Sequence, residues 1–500
     1  MGVHCLRAIL GLGILLPSAF GQSQTIPWAG YGHDAQHSGV SATAAQALNR
    51  VKWSTPVDTV LQGTSGSLFI HYGTPVITAA NTVLVPQRTS SGNTYQVNAF
   101  SGASGTSLYT LTTDYTPPPH NWIPSYSGTL ALGNRYYYPG AGGTVYYRDT
   151  PDSATGNSGQ LAFYGLSTYQ ANASTFDSTV MISTPITADR FGNIYFGFIV
   201  TGSNPASLTS GLARISVAGV GSWVSATALA GGDSSITQLQ MNGAPALNTA
   251  GSIVYVGLNA GNFTAGYLAS ANASTLAPLA HVRATDPNTH QNATILDDSS
   301  AAPTIGPDGD VYYGVFETSC CSNHDRGWLL HFNSTLATSK LPGAFGWDTT
   351  PTIVARNLVP SYAGSSSYLL LTKYNNYKST GGTGQNYVAV TDPNNSMTDP
   401  ITGASVMKVI IEQVGPTSDA PPSGAVREWC INSAAIDPAT KSAIVNSEDG
   451  VNYRWNFTTN TLSQSIRLTA GVGEAYTPTV IGPDGTVYAI NDAILFAIGQ

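Results

Sequence analysis

Short apolar segments alternate with turn residues along most of the chain, and one pattern recurs. A proline or small residue precedes a few apolar residues, a turn containing Gly or Asp follows, and an aromatic segment comes next. The clearest copies are APTIGPDGDVYYG at 302–314 and TPTVIGPDGTVYA at 477–489. Proline presets one turn position and glycine accepts a positive φ, so these turns suit the joining of antiparallel strands. The pattern therefore predicts short antiparallel meanders rather than helices.

Eight copies of this unit can be placed along the chain. They start near residues 74, 127, 184, 244, 302, 350, 433 and 477. One meander cannot bury both of its faces alone, so the units must pack around a common axis. We predict an all-β fold, a single β-propeller of about eight four-stranded blades. Seven blades are the alternative, because the copies at 127 and 433 are degenerate. The strand VKWSTPV at 51–57 is predicted to pair with the C-terminal strands and close the last blade.

The composition agrees with this architecture and narrows the class of partner. Charged residues make up 9% of the 500 residues, against roughly 25% in ordinary soluble domains, so uncharged polar residues must cover the surface. That mixture suits strands and turns and is poor for helices. The net charge is -8 and no run of Lys or Arg occurs, so a nucleic-acid or polybasic membrane footprint is not expected. We expect a monomer with neither kind of partner.

The first 21 residues have the layout of an export signal. An apolar stretch at 8–16 follows a positive residue, and Ala19 and Gly21 fit a cleavage site. The stretch is too short to span a bilayer, which needs about 20 residues. We therefore expect residues 1–21 to be removed and residues 22–500 to form a secreted propeller domain, extracellular or periplasmic.

Three cysteines follow this signal, and they are Cys320, Cys321 and Cys430. In an oxidising compartment the simplest arrangement is one disulfide and one free thiol. We prefer a disulfide between Cys430 and one of the adjacent pair, which would staple a loop to a neighbouring blade. The alternative is a bond within the pair, which closes a small strained ring. No metal is expected, because neither these cysteines nor HDAQH at 33–37 matches the pattern of a zinc site.

The segment WAGYGHDAQHSGVS at 28–41, followed by VKWSTPV, resembles the opening of pyrroloquinoline-quinone-like (PQQ-like) repeat propellers. The repeats of the form P-D-G-x-V-Y are similar to those of the same superfamily. The resemblance implies the propeller fold, and it favours a structural role for Asp34 and His37, which would tie down a turn.

A second local likeness concerns the possible cofactor. CCSNHDRG at 320–327 resembles the adjacent-cysteine motif of quinoprotein alcohol dehydrogenases, in which the disulfide lies against the quinone. The tryptophan-docking motif of that family is absent, and no segment matches its calcium-binding and catalytic carboxylates. We therefore expect no cofactor, with PQQ and calcium as the alternative that the resemblance allows.

Two loops rich in aromatic residues are candidate binding surfaces, TPPPHNWIPSY at 116–126 and YNNYKSTGGTGQNY at 374–387. Their aromatic rings could stack on sugars or fill a pocket of a partner. The candidate ligand-binding residues are His120, Trp122, Tyr126, Tyr374 and Tyr377. No phosphate loop, nucleophile elbow or zincin motif occurs, and no catalytic residue can be named.

The sequence therefore favours a secreted, non-catalytic propeller that binds a glycan or an extracellular protein through loops on one face. The alternative is a secreted propeller enzyme, either a PQQ-dependent oxidoreductase or a polysaccharide-degrading enzyme with His and Tyr near the axis as acid and base. Titratable residues converging on the central funnel would favour an enzyme. A flat surface and a funnel plugged by apolar side chains would instead favour a structural role.

Overall fold

A computed structural model of the protein describes residues 26–58, 73–89, 94–119, 126–419, 424–471 and 479–500. The predicted signal peptide and the loop residues His120 and Trp122 lie outside these ranges. Within them the chain is almost entirely strands and turns, and no helix is long and apolar enough to cross a membrane.

The strands of the first half of the chain are β1 (Arg50–Pro56), β2 (Val76–Ile77), β3 (Thr82–Arg88), β4 (Tyr95–Ser101), β5 (Ser107–Thr112), β6 (Thr129–Ala131), β7 (Arg135–Pro139), β8 (Thr144–Arg148), β9 (Ser158–Ala162), β10 (Val180–Ile182), β11 (Thr187–Ala188), β12 (Ile194–Val200), β13 (Gly211–Ile215), β14 (Gly221–Ser225), β15 (Gln238–Leu239), β16 (Ala246–Leu247), β17 (Ile253–Asn259), β18 (Thr264–Ala265), β19 (Tyr267–Asn272) and β20 (Pro278–Arg283).

The strands of the second half are β21 (Thr294–Ile295), β22 (Thr304–Ile305), β23 (Val311–Val315), β24 (Trp328–Phe332), β25 (Thr352–Ala355), β26 (Tyr368–Tyr374), β27 (Tyr387–Thr398), β28 (Ser405–Val414), β29 (Ser418–Asp419), β30 (Ala425–Val426), β31 (Ala435–Asp437), β32 (Ser442–Asn446), β33 (Val451–Asn456), β34 (Thr461–Arg467), β35 (Val480–Ile481), β36 (Val487–Asn491) and β37 (Ile494–Gly499). The α-helices are α1 (Leu166–Ala171), α2 (Ala173–Thr179) and α3 (Ala226–Leu229), and single 3-10 turns span Ala141–Gly143, Arg356–Leu358 and Lys378–Thr380.

These strands form eight antiparallel blades. Blades 1, 2, 6 and 7 are β2–β5, β6–β9, β25–β28 and β31–β34, and blade 8 has the order β35-β36-β37-β1. In blade 3 the innermost position is shared by β10 and β11, which both pair with β12, and β13 and β14 follow outward. In blade 4 it is shared by β15 and β16, which both pair with β17, and β19 and β20 follow outward. Blade 5 is the sheet β22–β24, extended by isolated bridges from Leu329 to Gly343 and from Phe332 to Ser339.

The eight blades confirm the predicted fold and remove the alternative of seven. The inner strands of the two degenerate copies, β6 and β31, begin two residues after residues 127 and 433. The predicted closure is also confirmed, because β1 pairs antiparallel with β37 and places Trp53 opposite Ala497. The short helices were not predicted, since they belong to connections between blades that lie outside the repeat.

Burial falls from the axis outward within a blade. Second strands such as β12 are buried along nearly their whole length, because neighbouring blades cover both faces. Outer strands such as β34 alternate between exposed and half-buried residues. This gradient explains why the inner strands carry apolar runs and the outer ones the alternating polar pattern.

Consecutive strands run in opposite directions, so their connections alternate between the two ends of the propeller. We call the end that carries the links from first to second strands the turn face. We call the opposite end, which carries the links from second to third strands and from one blade to the next, the loop face. The helices and the candidate loop 374–387 belong to the loop face, and the two P-D-G turns belong to the turn face.

Residues 28–41, here called the axial belt, run around the axis inside the ring. Six backbone N–H groups of inner strands donate to carbonyl oxygens of the belt at 2.7–3.0 Å. The donor and acceptor pairs are Ile77 with Trp28, Leu130 with Ala29, Leu247 with Ala35, Ile305 with Gln36, Ile353 with Ser38, and Ile436 with Gly39. The six donors hold equivalent positions in the inner strands of blades 1, 2, 4, 5, 6 and 7. Inner strands have a free edge that faces the axis, and the belt satisfies part of its hydrogen-bonding capacity.

Candidate binding site

Tyr31 holds the belt to the loop-face end of the axis. Its hydroxyl lies 2.8 Å from both Thr350 Oγ1 and Asn432 Oδ1 and donates to Ser300 O. These partners belong to the connections that enter blades 5, 6 and 7. The buried Tyr31 side chain therefore ties three blades together, and burial raises the pKa of its hydroxyl far above the ordinary value.

Asp34 organises the turn within the belt. Its Oδ1 accepts hydrogen bonds from Gln36 N at 3.0 Å and Ser38 N at 3.1 Å, while Oδ2 lies 3.1 Å from His33 Nδ1. Burial alone would raise the pKa of this carboxyl, but the contacts with His33 and Ser38 outweigh it and lower the pKa to about 2. These contacts agree with the turn-forming role that the resemblance implied for Asp34.

His37 is fully buried beside Tyr31. Its Nδ1 lies 2.7 Å from Pro303 O, and the two rings meet edge to face at 5.2 Å. Burial lowers the pKa of His37 to about 4, so the ring is neutral at ordinary pH and Nδ1 donates to the carbonyl. The His and Tyr nearest the axis thus act as packing groups, and their burial does not suit acid and base roles towards a bound substrate.

On the turn-face side of the belt, the axis opens into a cleft of about 910 Å³. Its floor is the belt itself, chiefly Ala29, Ala35 and Gln36. Its walls are Ile26, Ala79, residues 130–134, residues 188–190, residues 247–249 and Gly251. Apart from Ile26, which precedes the belt, these residues come from the ends of the inner strands of blades 1 to 4 and from the links that follow them. The volume lies within the range of about 300–1,000 Å³ that small-ligand sites occupy.

The carboxylates that line the cleft are already saturated with hydrogen bonds. Asp189 Oδ1 accepts from Phe191 N and Asn193 N, both at 2.9 Å, and its Oδ2 accepts from Asn193 Nδ2 at 2.7 Å. Asp34 is satisfied within the belt turn. Arg190 is different, because its side chain is exposed and its Cζ lies 4.7 Å from the centre of the Phe191 ring. In the part of the chain that the structure describes, no carboxylate forms an ion pair with Arg190.

An apolar surface borders the mouth of the cleft. Leu132 is 53% exposed, Phe191 48% and Val217 53%. A Cβ built on Gly192 would lie 3.3 Å from Leu132 Cβ and 3.1 Å from Val217 Cγ2, so these two side chains are neighbours. We call Leu132, Phe191 and Val217 the apolar rim. Exposed apolar residues that adjoin a cleft are typical of ligand or partner sites.

Tyr126, one of the predicted ligand-binding residues, lies in the core. It is 3% exposed and stacks on Tyr115, with 5.1 Å between ring centres. Its ring is tilted against that of Tyr95, with 4.8 Å between the two centres. Burial raises the pKa of its hydroxyl well above the ordinary value. Its ring fills the space between blades 1 and 2 rather than facing solvent.

Tyr374 and Tyr377 lie near each other on blade 6, at the loop face. Tyr374 ends β26 and lines a second cleft of about 530 Å³ together with Arg326 and Met397. Tyr377 accepts a hydrogen bond from Asn375 Nδ2 at 3.4 Å. Burial raises the pKa of both phenols above the ordinary value. A ligand-binding role for this pair stays a prediction, and the structure does not join the pair to Tyr126.

The disulfide preferred from the sequence is wrong. The structure pairs Cys320 with Cys321, and the buried Cys430 lies outside that disulfide. The adjacent pair follows β23 in blade 5, whereas Cys430 lies in the connection into blade 7. There its Sγ is 3.8 Å from carboxylate oxygens of both Glu428 and Glu448. The two positions belong to different parts of the loop face, so the staple between blades does not form.

The clusters of metal-ligating side chains do not fit the calcium ion that would accompany a bound quinone. Calcium is held by six to eight oxygen atoms. Among the described residues, the groups of three metal-ligating side chains are Cys320–Cys321–Asp325 and Glu428–Cys430–Glu448, and each contains sulfur. Asp348, a buried carboxylate of the loop face, already accepts hydrogen bonds from the backbone N–H and the hydroxyl of Ser300. We therefore derive no reaction step through such a group.

No family model and no curated protein sequence matches this chain. Solved structures with a similar course include a europium-containing methanol dehydrogenase, at 11% identity and a TM-score of 0.42 over 93% of this chain and 89% of that one. The quinohemoprotein alcohol dehydrogenase ADHIIG from Pseudomonas putida HK5 is 10% identical, with a TM-score of 0.49 over 95% and 76%. Sqt1 from Saccharomyces cerevisiae is 9% identical, with a TM-score of 0.52 over 91% and 99%.

At these identities the comparison concerns the fold alone, and only Sqt1 exceeds a TM-score of 0.5. The eight blades described above place the chain in the class of β-propellers. The propeller fold that the resemblance to PQQ-like repeats implies is therefore confirmed.

The sequence did not reveal the cleft, because its walls contain no motif. A weak signal exists in the turns themselves. Blades 5 and 8 turn through G-P-D-G, whereas blades 1 and 2 turn through T-A-A-N at 78–81 and A-L-G-N at 131–134. The cleft lies on the side where small residues replace the P-D-G turn.

Proposed function

We propose that the chain is a secreted, non-catalytic propeller that binds a segment of an extracellular protein in the cleft on the turn face. The observation that carries the proposal is the cleft itself, which is concave, lies between the belt and blades 1 to 4, and is bordered by the apolar rim. The belt forms its floor and is fixed by hydrogen bonds to six blades, so the site is preformed. Preformed sites bind with a smaller loss of conformational entropy.

The surroundings of the cleft favour a protein segment over a glycan. The rim consists of Leu132, Val217 and a single aromatic residue, Phe191. Sugars bind on aromatic faces and through many free hydrogen-bonding groups, yet Asp34 and Asp189 already have their partners. Aliphatic side chains of a polypeptide match these walls better.

Two observations support the absence of catalysis. The histidine and tyrosine nearest the axis are buried and held by structural hydrogen bonds. The carboxylates of the cleft are saturated by turn donors, so neither is poised to exchange a proton with a ligand.

Blocking the cleft tests the proposal. Ala79 is exposed and lines the cleft, while its exposed neighbour Ala80 does not. Ala79→Trp should therefore fill the mouth, and Ala80→Trp is the matched control. Both full-length variants and the wild type would be screened on an array of extracellular-protein peptides and on a glycan array.

We expect peptide binding that Ala79→Trp weakens at least about tenfold and Ala80→Trp leaves unchanged. Binding of glycans alone, or peptide binding that is indifferent to Ala79→Trp, would overturn the proposal. Secretion is tested separately by mass spectrometry of the culture medium, where the mature chain should begin at Gln22. An intact N-terminus in the cell fraction would contradict it.

A further inference from the structure

We infer that the cleft recognises a carboxylate carried on an apolar group, the C-terminus of an apolar peptide, and that Arg190 is the residue that selects it. This inference rests on the proposed binding function and names the chemistry of its ligand. It begins from the titratable side chains that line the cleft, which are His33, Asp34, Asp189 and Arg190.

Three of these four groups are already engaged with one another or with the backbone. The Nδ1 of His33 faces Asp34, and Asp34 also accepts the N–H groups of its own turn. Asp189 accepts from the N–H groups of residues 191 and 193. Neither carboxylate can attract a cationic ligand strongly without giving up hydrogen bonds that hold a turn.

Arg190 is the exception, and it sits on a fixed platform. The Asp189 hydrogen bonds lock the turn on which Arg190 stands, and the Phe191 ring supports the guanidinium at 4.7 Å. A guanidinium presents five N–H donors in a plane, so stacking on a ring leaves its edge available to a carboxylate in bidentate geometry. A cation without an ion-pair partner beside a cleft is complementary to an anionic ligand.

The apolar part of the ligand follows from the other walls. Leu130, Leu132 and Leu247 line the cleft together with alanines, and Leu132 keeps half of its side-chain surface exposed. A ligand that buried its apolar body against these residues would place an anionic end within reach of Arg190. Free fatty acids and the C-terminus of a peptide share this chemistry. The apolar rim extends outside the cleft along Phe191 and Val217, which provides contact surface for a longer chain and favours the peptide.

The test compares matched probes on the full-length protein by isothermal calorimetry. The first probe is N-acetyl-Ala-Leu-Ala-Leu with a free C-terminal carboxylate, and the second is the same peptide with a C-terminal amide. The third and fourth are octanoate and octanol. The variants are Arg190→Gln, Ala79→Trp and Arg356→Gln. Arg356 is an exposed arginine on another turn-face link, and its Cζ lies 5.8 Å from the Tyr362 ring, so it is a matched control.

We expect the free acid to bind at least about tenfold more tightly than the amide, the difference that a charge-assisted hydrogen-bond pair provides. Arg190→Gln should remove that difference by weakening the acid alone, and Arg356→Gln should change nothing. Ala79→Trp should weaken both peptides.

The remaining outcomes separate this inference from the proposed function. Acid and amide peptides that bind equally, with Arg190→Gln silent and Ala79→Trp disruptive, would overturn carboxylate recognition and keep the binding cleft. Octanoate binding without peptide binding would overturn the peptide as the source of the carboxylate. Peptide binding that is insensitive to Ala79→Trp would overturn the cleft and the inference together.

Discussion

The turn face and the loop face of this propeller distribute small and aromatic residues in opposite ways. The turn face near the axis is built from Ala79, Ala131, Gly133 and similar residues, and it opens into the larger cleft. The loop face carries the aromatic connections, yet Tyr126 is buried against other rings. Each ring that packs on the core removes about 150–250 Å² from water, so an aromatic-rich connection tends to close on itself. Accessible space forms where the connections are too small to do so.

Two charged groups, the Arg326–Asp399 ion pair and Arg190, differ in the same sense. Arg326, in a loop-face link, forms an ion pair at 2.8 Å with Asp399 of the β27–β28 connection, and the two side chains are 2% and 0% exposed. On the turn face, Arg190 is exposed and rests on an aromatic ring. Buried ions hold connections together, whereas an exposed cation beside a cleft is available to a ligand. The difference assigns a structural role to the Arg326–Asp399 pair and a binding role to Arg190.

The largest expected effect comes from breaking the Arg326–Asp399 ion pair. Arg326→Met would leave Asp399 buried without its partner, and removal of one member of a buried pair costs about 3–5 kcal/mol of unfolding free energy. Arg356→Met removes an exposed arginine and should cost less than about 0.5 kcal/mol. Denaturant unfolding of both variants measures the difference. Equal, small losses would show that the Arg326–Asp399 pair does not have the structural role assigned here.

A smaller effect should come from the belt that forms the floor of the cleft. Gly39 has a φ of +66°, and a Cβ there would lie 2.4 Å from Thr352 Cγ2. Gly133, on the cleft wall, has a φ of +78° and no heavy atom within 4 Å of such a Cβ. Both variants introduce backbone strain, and Gly39→Ala adds a steric clash. We therefore expect Gly39→Ala to cost about 3 kcal/mol of unfolding free energy and Gly133→Ala about 1 kcal/mol.

Denaturant unfolding of the two glycine variants provides the measurement, and the difference between them isolates the packing of the belt. Similar losses would mean that the belt moves aside easily. The cleft would then lack the rigid floor on which the comparison of the two faces depends.

The blades were predictable because each contains its own local signal. The P-D-G turns at 302–314 and 477–489 mark inner strands without reference to the rest of the chain. The belt was not predictable, because Ala35 pairs with Leu247 and Ser38 with Ile353, and no local pattern announces such distant partners. The burial of Tyr126 was unpredictable for the same reason, because it depends on Tyr95 and Tyr115, which lie near Tyr126 only in the folded chain.

The belt should also make the protein sensitive to mild acid. His37 has an ordinary pKa of 6.5 that burial lowers to about 4, so the unfolded chain takes up a proton more readily than the folded one. Stability is full above about pH 6.5 and falls as the pH drops towards 4, by up to about 3 kcal/mol. The Asp34 contribution, with a folded pKa of about 2, is present above about pH 4 and is lost only at lower pH.

His37→Gln should reduce the slope of the unfolding free energy between pH 6.5 and 4 and leave the part contributed by the buried His331, whose pKa burial also lowers. Replacement of the exposed His290 by Gln should leave the slope unchanged. Denaturant unfolding at several pH values checks this. A slope that His37→Gln leaves unchanged would show that the belt does not contribute to the acid sensitivity.

The smallest effect concerns the cysteines of the loop face. Cys320 is exposed, and its loop is held independently by Arg326 and by Glu317, whose Oε1 accepts the N–H of Asn323 at 2.9 Å. The double variant Cys320→Ser with Cys321→Ser should therefore cost less than about 1 kcal/mol of unfolding free energy. A disulfide that stapled distant blades would cost about 2–5 kcal/mol when removed.

Alkylation of the denatured, unreduced protein tests the pairing directly. One label should appear per mature chain, on the tryptic peptide 428–441 that contains Cys430, and none on peptide 284–326. A single label on peptide 284–326, with none on peptide 428–441, would instead show that Cys430 is joined to one of the adjacent cysteines. A disulfide between two blade connections would then help to hold the loop face together, beside the buried Arg326–Asp399 ion pair.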